Sequence, residues 1–443
     1  MTELHITHDW NSYDDSLTEC GETTARLGIF LDGYCLTKNH DLFSKTIRDQ
    51  IHVSLYPLAM WLASSWWRLH YEVLPDTVRK SPPHDWRMSH EMAAANMGFL
   101  WPQIVFSPDA DSIQVWAQAS QGQREDAVRF LNGLDYASII PKDQFTREMT
   151  SLISSVVARL HEVGCKDSDL AIIWGFISED LNNPVEHKKR RLEAVLGFDP
   201  ESCPEYLIAQ AIDLEARIGA DSFSELSGAY AQDTDDRIGA IQCLIQAEGL
   251  KGAPSEVLDF NFESATKQPW ESAVSAARKL RQTIGDVSGP VKDSVLSDLL
   301  GLSLTKFKEW IPVNAAKAAV AGPEGKGAMK FVPRRRHPIA QRFDLARFIG
   351  DYIRTPKNGQ APWLVSADLS SARQKFQRAF AAEFLCPINS LVEFLSGDFS
   401  EAALSDASDH FSVSERTVDS LLMNNGYLPR YAANYGMPYR VAL

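Results

Sequence analysis

The chain has 443 residues, of which 44% are hydrophobic and 23% charged. That balance excludes a disordered protein and leaves room for two or three domains, each with its own core. The net charge of −14 is unevenly spread, so its sign at any one stretch matters more than the total.

Between Asp199 and Glu263 fourteen carboxylates stand against Arg217, Arg237 and Lys251, and this segment should repel a phosphate backbone. From Lys326 to Lys357 nine Lys or Arg residues stand against Asp344 and Asp351. Any nucleic-acid contact is therefore expected in that basic stretch, through Arg334, Arg335, Arg336 and Arg342. The bland alternative is that both stretches are solvated faces. Six cysteines show no C-x-x-C pair or metal-ligand rhythm, which fits reduced thiols in a bacterial-type cytoplasm. The first residues have neither a basic start nor an apolar stretch, so no secretory leader is expected. The most apolar run, Leu55 to Trp67, is broken by Pro57, Ser64 and Ser65 and falls short of the roughly 20 residues of a membrane span. No membrane partner is expected.

In chain order, the first strong signal is Asp32-Gly33 between two apolar runs, which predicts a hairpin. A helix from Leu58 to about Tyr71 follows, carrying Trp61, Trp66 and Trp67, and another is predicted over Ser89 to Met97. A second hairpin, Gln103 to Ala117, should turn on Pro108-Asp109-Ala110-Asp111. Six of the eleven tryptophans fall between 61 and 116, which points to a Trp-rich α+β domain over residues 1–135. From there to 318 a helical middle region is predicted, with Phe145, Met149, Leu152, Val156 and Leu160 at helical spacing, and likewise Leu207, Ala211, Leu214 and Ile218. Ala321 to Gly327 reads as a flexible loop. It lacks the spacing and the hydroxyl of a phosphate-binding P-loop. The fold class expected is α+β, predominantly helical.

Three clusters invite a chemical reading. His90-Glu91 begins like a zinc motif, but Ala94 stands where the second histidine should be. The pair could still serve as acid and base in an aromatic-walled pocket, with His52 and His70 nearby; a structural role for these groups and a core role for the tryptophans are the commoner outcomes. The basic run Glu186 to Arg191 reads as a solvated helix face or a phosphate contact. Near the C-terminus, Ala402 to His410 leads to Ser412, which has capping-box spacing to Glu415, and then to Val418, Leu421 and Leu422. This helix-turn-helix-like pair exposes two carboxylates, Glu415 and Asp419, which favours a structural or protein-contact role over DNA reading.

The most informative segment is Arg342 to Ile353, RFDLARFIGDYI. It resembles the metal-binding helix of the ImmA/IrrE family of zinc metallopeptidases, usually R-F-t-L-A-H-E-l-G-H-y-l. Gln377 to Pro387 is similar to that family's second helix, and Ala402 to Leu422, with Phe411-Ser412-Val413-Ser414, to its closing segment. The resemblance covers roughly residues 328 to 428 and implies a zincin-like helical module over 328–443. In an H-E-x-x-H helix two histidines hold zinc and the glutamate acts on the bound water. Here those slots read Arg347, Phe348 and Asp351, and the acidic positions before the second helix read Gln374 and Phe376. A guanidinium does not ligate zinc and a phenyl ring takes no proton, so no metal or cofactor is expected. Arg347 and Asp351 should instead form an ordinary helix-surface ion pair. The resemblance implies a pseudopeptidase: a sensor, adaptor or antitoxin-like protein partner in bacterial regulation or phage defence. The alternative is a hydrolase with its site at His90 and Glu91 and a C-terminal module for recognising protein or nucleic acid.

Overall fold

A computed structural model describes residues 2–11, 18–75, 82–120, 127–231, 236–260, 268–312, 316–325, 327–355 and 362–429. The fold is α+β with helix prevailing, 52% against 18% strand. Two compact units divide between Ile212 and Asp213, inside the helix Glu205–Ile218. The stretch between 136 and 318, read from the sequence as one region, is thus shared between the units.

In the first unit, β1 (Leu4–Trp10) pairs antiparallel with β2 (Thr24–Leu31), which also pairs with β3 (Ile51–Ser54). The Asp32-Gly33 hairpin forms, with Leu31 opposite Tyr34 and both turn residues at positive φ, 47° and 79°. That is the backbone an Asp-Gly turn accommodates most readily. The single helix expected over Leu58 to Tyr71 is instead two, α1 (Tyr56–Ser64) and α2 (Trp66–Tyr71), parted at Ser65. The helix expected over Ser89 to Met97 is displaced: α3 covers His84–His90 and a 3₁₀ turn covers Met92–Ala95. Asn96, Met97 and Gly98 follow at positive φ, which no α-helix sustains. The second hairpin joins β4 (Gln103–Asp109) to β5 (Ser112–Gln118), and β6 (Ser138–Pro141) extends it. Across this unit lies α4 (Lys142–Glu162), whose Phe145, Met149, Leu152, Val156 and Leu160 are all buried. α5 (Asp169–Asn182) and α6 (Pro184–Val195) complete it.

In the second unit, α7 (Ala220–Ala229) precedes a four-stranded antiparallel sheet in the order β7 (Leu250–Gly252), β9 (Ala328–Val332), β8 (Ala318–Gly325), β10 (Leu364–Ala367). The flexible loop expected at Ala321 is therefore a strand; its Gly322 passes so close to Trp363 that a Cβ would sit 2.4 Å from the indole. α9 (Pro338–Arg354) and α10 (Ala372–Leu385) pack on the sheet and on α8 (Pro269–Thr283). α11 (Glu401–Phe411) and α12 (Glu415–Asn424) close the unit. Ser412 ends α11 in the left-handed conformation, and Ser414, not Ser412, caps α12 by accepting from Thr417 N. Val418, Leu421 and Leu422 are buried as expected. Among the described residues, no helix is long and apolar enough to cross a membrane.

Candidate functional site

Arg347, Phe348 and Asp351 all lie on α9. Helical spacing puts Arg347 and Asp351 on one face, but they do not form the surface pair expected of them. Arg347 is 2% and Asp351 0% exposed, and each binds elsewhere. Arg373, at the start of α10, grips Asp351 bidentately, Nε to Oδ1 at 2.8 Å and Nη2 to Oδ2 at 2.6 Å. Burial by itself would lower the Arg373 guanidinium; the Asp351 carboxylate more than reverses this and leaves it above its ordinary value. Arg347 donates through Nη2 to the carbonyl of Ala367 and to Gln374 Oε1. Phe348 is in the core, edge-on to Phe331 at 5.6 Å. Phe376 is buried and stacked on Phe380.

Gln374 is the junction of this network. Its Oε1 accepts from Ala367 N at 2.9 Å, while its Nε2 donates to Val365 O at 2.9 Å and to Glu225 Oε2 at 3.0 Å. Glu225, on α7, also accepts from Ser371 Oγ. Asp351 Oδ2 accepts from Val365 N at 3.1 Å, and Gln377 Nε2 donates to Val365 O at 2.8 Å. Arg373 Nη2 reaches Trp363 O at 3.0 Å.

These bonds have a common target. β10 is the last strand of its sheet, and an uncovered edge is a ready template for another chain. Here the outward N–H and C=O groups of Val365 and Ala367 are taken by Arg347, Asp351, Gln374 and Gln377. Arg347, Asp351 and Gln374, three of the positions compared with the peptidase helices, thus serve as the cover of a sheet edge. Among the described residues, no group of three His, Cys, Asp or Glu side chains is placed to hold a metal ion.

The expected basic stretch is mostly not a surface. Arg334 is buried and donates to Asp368 at 2.5 Å; Arg342 is buried and binds Asp293 and the carbonyls of Val291 and Ser412. Only Arg335 and Arg336 of the four reach solvent, and Arg335 also pairs with Asp368, at 2.9 Å. Lys326 and Lys357 lie outside the described residues.

In the first unit His90 and Glu91, the candidate acid and base, turn to different partners. Glu91 takes a bidentate contact from Arg87, with Nε to Oε1 at 2.6 Å. His90 is fully buried, stacked on Trp86 at 4.1 Å, and lies between Phe106 O and Glu72 Oε2 at 2.8 and 3.1 Å. Burial would raise the Glu72 carboxyl, but the His90 and Arg68 contacts outweigh it and hold it below its usual value. His70 is buried between Trp66 O and Thr146 Oγ1, and His52 is exposed on β3 opposite Arg26. The basic run at 186–191 is not uniformly solvated, because Arg190 is buried against Asp180, Glu193 and Glu201.

Sequence reasoning missed Arg373, Glu225 and Asp368. Arg373 stands immediately before Gln374, and a cation beside a candidate site position was the accessible signal. Glu225 lies 149 residues from the glutamine it binds, and nothing local marks it. Comparisons of the chain with protein-family models, with curated proteins and with solved structures gave no match.

Proposed function

We propose that the second unit is a non-proteolytic ImmA/IrrE-like module that acts by binding a protein, as a sensor, adaptor or antitoxin-like partner in bacterial regulation or phage defence. The observation that carries the reading is the covered edge of β10. Metal-dependent hydrolysis needs ligands, a base and an approach for the peptide. The ligand slots hold an arginine and an arginine-bound aspartate, the base slot holds a core phenylalanine, and the strand edge a peptide would extend is satisfied from within. A partner must therefore dock on another surface of the unit.

Zinc analysis of the purified protein is expected to give far less than one metal per chain, and a partner recovered with it should remain full length with or without chelator. Stoichiometric zinc that survives dialysis, or cleavage of the partner that a chelator stops, would overturn the reading.

A further inference from the structure

We propose that the arginine cluster around Asp368 is a binding site for a phosphate group, with Asp368 as the internal counter-ion against which phosphate competes. Three guanidiniums converge on this one carboxylate: Arg334 at 2.5 Å, Arg335 at 2.9 Å and Arg347 at 3.8 Å. A fourth, Arg378, donates to the carbonyl of the next residue, Leu369, at 2.8 Å. They arrive from the segment after β9, from α9 and from α10, so the convergence belongs to the fold and not to one run of sequence.

The charge within the cluster does not balance. The carboxylates in reach are Asp368, Glu225 and Asp344. Glu225 is held by Ser371 and Gln374 and offsets part of the Arg378 charge, so four guanidiniums face three carboxyl groups. Burial raises the Asp344 carboxyl, against the pull of Arg334, Arg347 and Arg335. Asp368 is strongly acidic, its pKa near 2, because burial is outweighed by the arginines. Arg347 shows the excess from the other side: burial and then the like charges of Arg334 and Arg378 push it down to about 9. Burying an undercompensated cation is costly, and an incoming anion offsets that cost.

Unused donors also lie beneath the surface. The side chains of Arg334 and Arg347 are 4% and 3% exposed, and the Nε of each donates to no protein acceptor. Access is from the side where Arg335 and Asp368 are 43% and 33% exposed. Phosphate fits better than a carboxylate because it carries up to two charges and offers tetrahedral oxygens to several guanidinium forks at once. A duplex backbone fits less well, since Arg334 and Arg347 lie beneath the surface. The inference stands apart from the peptidase resemblance and would survive its failure.

Calorimetric titration of the whole protein with inorganic phosphate and with adenosine 5′-monophosphate tests it. Saturable binding is expected, weakened about tenfold by Arg335→Gln and tightened about tenfold by Asp368→Asn. Equal affinities would assign free phosphate, and tighter nucleotide binding would assign a phosphate monoester; both support the site. No saturable heat up to about 10 mM of either ligand, or an Arg335→Gln protein of unchanged affinity, would overturn it. Arg335 is half exposed, so that variant reads the site even if Asp368→Asn does not fold. Binding of duplex DNA alone, abolished by Arg335→Gln, would overturn it in favour of backbone contact.

Discussion

Asp351 has no access to water: one guanidinium and one backbone amide take its two oxygens. Neutralising it strands Arg373 in the interior, so Asp351→Asn should cost about 3 to 5 kcal/mol in denaturant unfolding. Replacing both partners, with Asp351→Leu and Arg373→Met, should recover much of that loss, because an apolar pair carries no desolvation penalty. His70 gives a prediction in pH. Burial pushes its pKa down from 6.5 to about 3. Above pH 6.5 both folded and unfolded states are neutral at this residue. Between 6.5 and 3 the unfolded chain takes up a proton that the fold refuses, so stability falls on acidification. The contribution at pH 5 is about 2 kcal/mol, and His70→Gln should flatten the slope of stability between pH 5 and 7. At this scale the slots on α9 were legible, since residues four apart share a helix face. Their fate was not, because burial and a remote Arg373 or Glu225 decide whether a charged residue pairs along its helix or inward.

The seam between α9 and α10 depends on Gly350. A Cβ there would lie 2.8 Å from Cγ and Cδ1 of Phe380, a fully buried ring stacked between Phe376 and Phe384. Alanine gains up to about 1 kcal/mol in helix propensity, whereas overpacking against a fixed ring costs about 1 to 3 kcal/mol. The clash should win: Gly350→Ala is expected to lower the unfolding midpoint, and Phe380→Leu in the same chain to restore part of it. Among elements, the two hairpins and α4 were legible because turn chemistry and a period near 3.6 act locally. The strand at Ala318 was hidden by Gly322, Pro323 and Gly325, residues that mark loops unless tertiary contacts, here the Trp363 indole, require a bare backbone. The break at Ser65 was equally silent, since serine neither forbids nor demands a helix end.

Each unit carries its own apolar core, one built on β1, β2, α1 and α4, the other on α8, α9 and α10. Scanning calorimetry of the whole chain should therefore show two steps. Asp351→Asn should move one of them and His70→Gln the other; a single step moved by both would contradict this. The overall class, α+β and mostly helical, was readable from composition and periodicity. The division inside Glu205–Ile218 was not, because a continuous helix hides a boundary that only long-range packing draws.

The four side chains along β10 also act as a safeguard. A strand whose outer rim is pinned by Arg347, Asp351, Gln374 and Gln377 offers nothing for a second molecule to zip onto. Loosening Asp351 uncovers the Val365 N–H and strands the Arg373 charge. The first symptom of such variants should be self-association in concentrated stocks, visible as rising light scatter at temperatures where the helical signal is still intact.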